Sequence, residues 1–359
     1  MRGVGMALGR WWAFGLAASL SGAVGCYQGV GGEADIVTTR SEEFNGVQLQ
    51  GVQLQGVQLQ GVRLQGVQLQ GVKLQGVRLQ GVRLQGVKLQ GVKLQGTTFS
   101  GVVLQDGQSV DRSGEDLIGA EWDVEITSAD GQGNPVEEEF VLRFDDIYPD
   151  GNHDDVFLYE VSYRSKLSNE WSSLCEDSQG NPLPAIPLSN YWDEATGDRI
   201  DDPNVVSFAC TNAVLAKCVE WGYRPWATAT RCDNVKKNKG CYQVSLQDYH
   251  QACTRMARAD YCGNGEPWTV PGTAIDIWDQ LSPQIEAPAT DWAIEAEWDV
   301  DGATCLNDIR QQAWKAQGLY PKCFLNKKGK PLKFKNCGSL KKHRALLVSA
   351  FDKDGEGVP

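Results

Sequence analysis

The sequence predicts a square β-coil over residues 46–105 followed by a disulfide-rich α+β domain over 106–359, and three observations predict it. The pentad Gly-Val-[Gln/Lys/Arg]-Leu-Gln runs ten times without a break from Gly46 to Gln95, and two looser copies extend it through Gln105. Ten of the eleven cysteines lie beyond the repeat. The part that carries them shows strand patterns first, then helix patterns, then strands again, an order that fits α+β.

The repeat cannot be a helix or a straight strand. Apolar residues at 47, 49, 52, 54 and onward alternate spacings of two and three, which leaves no apolar stripe on a helix. On a strand, Val47 and Leu49 would share one face while Val52 and Leu54 took the other. A Val-x-Leu step with a right-angled corner at each Gln-Gly keeps them all inside, and four steps close a square. The central positions run from Leu49 in steps of five to Leu94, then Phe99 and Leu104. This pattern resembles the pentapeptide-repeat family. The resemblance implies a right-handed quadrilateral β-helix, about three coils for twelve pentads. Glu42-Glu43-Phe44 and the domain behind the coil are the expected caps.

Before the repeat, Arg2 and Arg10 precede or enter an uncharged run from Trp11 to Gly25. That run is too short to span a bilayer and reads as a signal peptide over residues 1–25. It ends Ala23-Val24-Gly25-Cys26, which resembles the bacterial lipobox, although Ala23 stands where Leu is usual. The resemblance implies lipid attachment at Cys26 and a membrane anchor. Cleavage without lipid would leave the chain periplasmic or secreted. Residues 26–45, rich in Gly, Thr and Glu, read as a tether. Setting Cys26 aside leaves ten cysteines, an even set for pairing.

Charge divides the chain. Residues 46–105 hold six basic residues and no acid; residues 106–321 hold 15 Lys+Arg against 39 Asp+Glu, a net of −24. Nine basic residues and no acid then fall in 322–344. An acidic body disfavours nucleic acid as a partner. The basic segment is expected to form a loop or hairpin bracketed by Cys323 and Cys337, with a turn at Asn326–Pro331 and strand-like alternation through Leu332 and Phe334. It reads as a solvated basic face or as an edge contacting lipopolysaccharide or an acidic glycan.

In the last domain, alternation at 122–126, 140–144 and 156–159 predicts antiparallel strands, separated by turns at Asp130-Gly131, Asp150-Gly151 and Gly180-Asn181-Pro182. Late strands are expected at 292–300 and 345–351. A helix is expected to start at Ser245, with Asp248 completing a capping box and Leu246, Tyr249, Cys253, Met256 and Asp260 on one face. Others are expected at 212–221, closed by Gly222, and at 305–315.

The ten remaining cysteines are Cys175, Cys210, Cys218, Cys232, Cys241, Cys253, Cys262, Cys305, Cys323 and Cys337. No Cys-x-x-Cys occurs, so neither a thioredoxin-type redox pair nor a zinc ribbon is indicated. Five disulfides are expected in an exported chain, with connectivity open. The stretch from Cys253 to Gly265 contains Ala259-Asp260-Tyr261-Cys262-Gly263 and resembles the ADYC domain family. Lys217–Trp226 and Gly272–Asp279 look like further parts of it, and the resemblance covers most of 115–350. It implies export and disulfide dependence; it brings no assigned activity and no catalytic residues.

The chemistry-bearing residues are few. Three histidines, His153, His250 and His343, and no Gly-x-Ser-x-Gly elbow argue against a serine triad. The acidic loop around His153 lacks EF-hand spacing, as does Asp352–Glu356, and His250 with Cys253 reads as core rather than a metal pair. No metal and no cofactor is expected. The leading expectation is a surface lipoprotein whose rigid repeat stalk displays a recognition module for a glycan or protein of the cell envelope. The alternative is an exported hydrolase of envelope glycan using paired carboxylates, with Asp260, Asp276 and Asp279 beside Tyr261 and Trp278 as first candidates.

Overall fold

The computed structural model describes residues 77–78, 82–129, 135–177, 179–193, 196–234, 239–270, 273–333, 337–338 and 345–353. The signal, Cys26, the tether, the pentads before residue 77 and the Asp130-Gly131 turn lie outside these residues. The described chain is mostly β, with few helices.

The end of the repeat forms β1 (Val77–Arg78), β2 (Val82–Leu84), β3 (Val87–Lys88), β4 (Gln90–Gln95) and β5 (Thr98–Gln105), and β6 (Gln108–Ser113) follows. These strands pair antiparallel: β2 with β3, β4 with β5, β5 with β6. From residue 82 onward the pentads are therefore hairpins rather than steps of a coil. The change shows at the corner itself. Gln85 (φ 51°) and Gly86 (φ 77°) are both left-handed, the geometry of a two-residue type I′ hairpin turn, and Asp106 and Gly107 repeat it. Burial reports the same change. Leu84, Leu89 and Phe99 are buried, but the next central residue, Leu104, is 51% exposed.

Next come β7 (Ala120–Ala129), β8 (Pro135–Asp150), β9 (His153–Ser165), β10 (Ser172–Ser173), β11 (Ala185–Ser189), β12 (Tyr191–Trp192), β13 (Arg199–Ile200) and β14 (Val205–Cys210). The expected strands at 122–126, 140–144 and 156–159 fall inside β7, β8 and β9. The main sheet runs β1-β14-β11-β9-β8-β7-β2-β3. Its two ends are covalent neighbours: Arg78 is four residues from Val82, a span of at most about 15 Å. Moreover, β14 and β7 are four steps apart along the sheet, about 19 Å if flat. Their side chains Phe208 and Trp122 nevertheless approach to 5.8 Å between ring centroids. The sheet curls into a barrel, and the repeat supplies strands at both of its ends, β1 at one and β2 with β3 at the other.

Phe99 fills the interior. It lies 4.9 Å from Trp122, 5.4 Å from Phe144, 5.6 Å from Tyr159 and 6.1 Å from Phe208, and its backbone N–H donates to the Tyr159 hydroxyl. Such edge-to-face clusters add to the burial of the rings.

A second core follows. It comprises α1 (Val214–Glu220), the hairpin β15 (Thr228–Asn234) and β16 (Lys239–Ser245), and α2 (Leu246–Arg258). The sheet β17-β20-β18-β19 covers α2, with β17 Ile275–Asp279, β18 Ala293–Asp299, β19 Gly302–Leu306 and β20 Leu347–Phe351. The helix expected at 305–315 is corrected: Cys305 and Leu306 belong to β19, paired with Glu297 and Ala296, and only the short α3 (Gln312–Ala316) is helical.

Five disulfides staple the two cores: Cys175–Cys210, Cys218–Cys253, Cys232–Cys241, Cys262–Cys323 and Cys305–Cys337. Cys323 and Cys337, the brackets of the basic segment, thus bond to separate partners. Within it, Asn326 N–H donates to the Lys330 carbonyl and Leu332 N–H to that of Phe324, which makes the expected turn. Of the strand expected through Leu332 and Phe334, Leu332 and Lys333 are irregular, and Phe334 and Lys335 lie outside the described residues.

Candidate functional site

The residues singled out by sequence converge on the C-terminal end of α2. Ser245 caps its start, its hydroxyl accepting from Gln247 N–H at 3.2 Å. Leu246, Tyr249, Cys253 and Met256 are buried as expected, but so are Gln251, Thr254 and Arg255, because α2 is enclosed on nearly every side.

Ala259 ends the helix in the left-handed conformation (φ 52°), its N–H returning to the Met256 carbonyl. Asp260 follows, fully buried. Its carboxylate accepts from Asn264 N–H at 3.1 Å, Gly265 N–H at 2.9 Å and Arg255 Nη1 at 2.6 Å. Arg255 in turn binds the Thr196 carbonyl, Asp198 and the Val300 carbonyl. Tyr261 stacks on Trp298 at 5.2 Å and donates to Glu295 Oε1 at 2.5 Å. Burial and the Glu295 carboxylate push the Tyr261 hydroxyl well above its ordinary pKa. Cys262 bonds to Cys323. Gly263 lies so close to the β18–β19 turn that a Cβ there would sit 1.8 Å from the Asp301 carbonyl oxygen.

Behind Tyr261, Glu295 meets Arg310 in a bidentate pair, Nε–Oε1 2.8 Å and Nη2–Oε2 2.9 Å, with both side chains wholly buried. Ser349 donates to Glu295 Oε2, and Trp298 Nε1–H donates to Ser349. Arg310 also donates to the Met256 carbonyl. The motif and this pair tie the end of α2 to β18, the β18–β19 turn and β20. Sequence reasoning missed Glu295, Arg310 and Arg255. An acid and a base fifteen residues apart carry no spacing signal.

The acids proposed for hydrolysis are each engaged by the fold. Asp276 accepts from Ala289 and Thr290 N–H groups and the Thr290 hydroxyl. Asp279 accepts from Leu281, Ile285 and Glu286 N–H groups and from the Tyr223 hydroxyl at 3.0 Å. Burial raises the Asp279 pKa against those bonds. Each carboxylate anchors a loop, and Trp278 lies half-buried beside them.

The histidines are likewise engaged. His153 pairs with Asp150 at 2.6 Å across the β8–β9 turn. His250 is fully buried, its Nε2 3.0 Å from the Leu215 carbonyl, and burial lowers its pKa to about 4. His343 lies outside the described residues. Among the described residues, no three His, Cys, Asp or Glu side chains converge to hold a metal. None of the described helices is long and apolar enough to cross a membrane.

A β-rich, disulfide-stapled domain, its barrel joined to a pentad repeat, is the class of protein that this geometry defines. A family model described as the ADYC domain matches residues 114–312, and the chain belongs to that family. A family model described as pentapeptide repeats (8 copies) matches residues 43–81 and again residues 68–106. No curated protein and no solved structure matches the chain.

Proposed function

We propose that this chain is an exported lipoprotein, anchored through Cys26, whose repeat stalk displays a disulfide-stapled recognition domain at the cell envelope. The observation that carries this reading is the state of the family motif and the candidate acids. Asp260, Tyr261, Asp276 and Asp279 all spend their polar groups on backbone and neighbouring side chains, leaving them to scaffold rather than to catalyse. Five disulfides suit an oxidising, exported environment. The pentads before residue 77 are proposed to form coils of a right-handed quadrilateral β-helix, supported by the family match to the repeat. In this arrangement the barrel caps the coil, since β1, the strand that follows the last coil, pairs with β14.

The test is metabolic labelling with a fatty acid and cell fractionation, comparing the wild-type chain with Cys26→Ser. Label and membrane retention lost together in the variant would support the anchor. Retention without label in the wild type would refute it. Incubation with cell-wall glycan, scored for product as well as for retained ligand, separates recognition from hydrolysis.

A further inference from the structure

One edge of the second core differs from the rest of the acidic body. Lys322, Lys327, Lys328, Lys330 and Lys333 are all exposed, and none takes an ion-pair partner among the described residues. They occupy a hairpin built tightly from its own residues: Asn326 Oδ1 accepts from Lys328 N–H at 2.8 Å and from Lys330 N–H at 3.1 Å, and Leu325 bridges Pro331. The Cys262–Cys323 disulfide fixes its base to the end of α2. The backbone that carries Lys327, Lys328 and Lys330 is thus fixed as one tight turn, with Lys322 and Lys333 flanking it.

Beside the lysines lie apolar groups that the fold leaves in water. Leu332, within the hairpin, is 39% exposed, and Leu319, just before it, is 47% exposed. Leu319 is held against α3 by its N–H to the Trp314 carbonyl, and Trp314 meets Trp268 edge-on at 5.9 Å with both rings half-buried. Val270, two residues after Trp268, is 38% exposed. Half-buried indoles, exposed aliphatic tips and clustered lysines together are the composition of a surface that sits at a lipid headgroup layer. A site for an acidic glycan calls for the lysines but not for Leu319 and Leu332.

We propose that this edge docks on the headgroup layer of a membrane containing anionic phospholipid, the lysines contacting phosphates and Leu319 and Leu332 entering the interface. The contact is independent of any lipid on Cys26. A net charge of −24 over residues 106–321 favours approach by this basic edge over the acidic remainder of the last domain.

The experiment uses the full-length oxidised chain carrying Cys26→Ser, so that loss of the anchor and loss of this surface are read separately. Sedimentation is measured with phosphatidylcholine vesicles and with vesicles containing phosphatidylglycerol. The chain is expected to bind only the latter, and less as salt rises. Replacing Lys322, Lys327, Lys328 and Lys330 by Gln should lower the partition coefficient on the order of 600-fold, each lysine near such a surface being worth about fivefold. Leu319→Ser with Leu332→Ser should weaken binding while leaving its salt dependence unchanged. No binding to the anionic vesicles, or equal binding by the lysine variant, overturns the proposal. Binding to a soluble anionic polysaccharide that the two serine substitutions leave intact, with none to vesicles, overturns it in favour of a glycan.

Discussion

Arg310 and Glu295 meet through two parallel hydrogen bonds with both side chains wholly buried, and Tyr261 donates its hydroxyl to the same carboxylate. Removing one charge leaves the other buried and unpaired, which typically costs about 3–5 kcal/mol. Glu295→Gln is therefore expected to lose stability of that order in chemical denaturation of the oxidised protein. Glu295→Leu combined with Arg310→Met should recover much of the loss, because an apolar pair needs no partner. Equal losses in the single and double variants would show that the hydrogen bonds Glu295 accepts from Tyr261 and Ser349, not the unpaired charge, are at stake.

Two buried titrations oppose each other. Burial raises Glu220, at the end of α1, from 4.5 to about 7, with Asp150 adding to the rise, while burial lowers His250 from 6.5 to about 4. The folded state prefers Glu220 protonated, so stability from this group is lost as pH rises from 4.5 through 7. It prefers His250 neutral, so stability is lost as pH falls from 6.5 through 4. Between about 4.5 and 6.5 the two slopes cancel and the wild type should show a plateau. Glu220→Gln should remove one arm, raising stability at pH 8 by about 1–3 kcal/mol and leaving a steady loss below pH 6.5. A pH profile unchanged by the substitution would dismiss the coupling.

The strands β7 to β9, the cap of α2 and the turn at Asn326–Pro331 were legible because each is decided by residues a few positions apart. The stretch 305–315 was not. Cys305, Leu306 and Ile309 look helical alone, but Gly302 starts β19 and the partner that makes it a strand, Ala296, lies across a turn. The Gln-Gly corner was legible as a corner only. A coil step and a type I′ hairpin use the same two residues, and what decides between them is whether the next strand finds a coil below it or a barrel beside it. Asp260 and Tyr261 were legible as a motif, but not their role, since Glu295, Arg310 and Asp301 come to them only through the fold.

Gly263 offers a sharper test of the motif as scaffold. It has φ +63°, and a methyl group there would overlap the Asp301 backbone, which cannot retreat because Gly302 is itself packed against Gly263. Gly263→Ala is expected to cost at least about 3 kcal/mol through left-handed strain and displacement of the β18–β19 turn. The measurement is thermal unfolding under oxidising conditions. A loss below about 1 kcal/mol would mean that the turn is free to move.

The sharpest prediction concerns where the last domain begins. Phe99 and Leu104 hold the same place in consecutive pentads, and a coil would turn both inward. Here Phe99 is wholly buried among Trp122, Phe144, Tyr159 and Phe208, while Leu104 is 51% exposed. Phe99→Ala should therefore cost about 3–5 kcal/mol, the usual loss for a buried phenylalanine. Leu104→Ala should stay within about 0.5 kcal/mol, as exposed positions do. The same contrast sets the shortest stable fragment. A chain starting at residue 77 keeps the strands that the repeat supplies at both ends of the barrel and the ring that fills it. One starting at residue 106 loses both, and leaves four aromatic rings around a void. Residues 77–359 should unfold cooperatively with a midpoint near that of the longer chain; residues 106–359, refolded with all ten cysteines under the same redox buffer, should show broad, uncooperative melting. A cooperative transition in the shorter fragment would place the boundary after the repeat and remove Phe99 from the core.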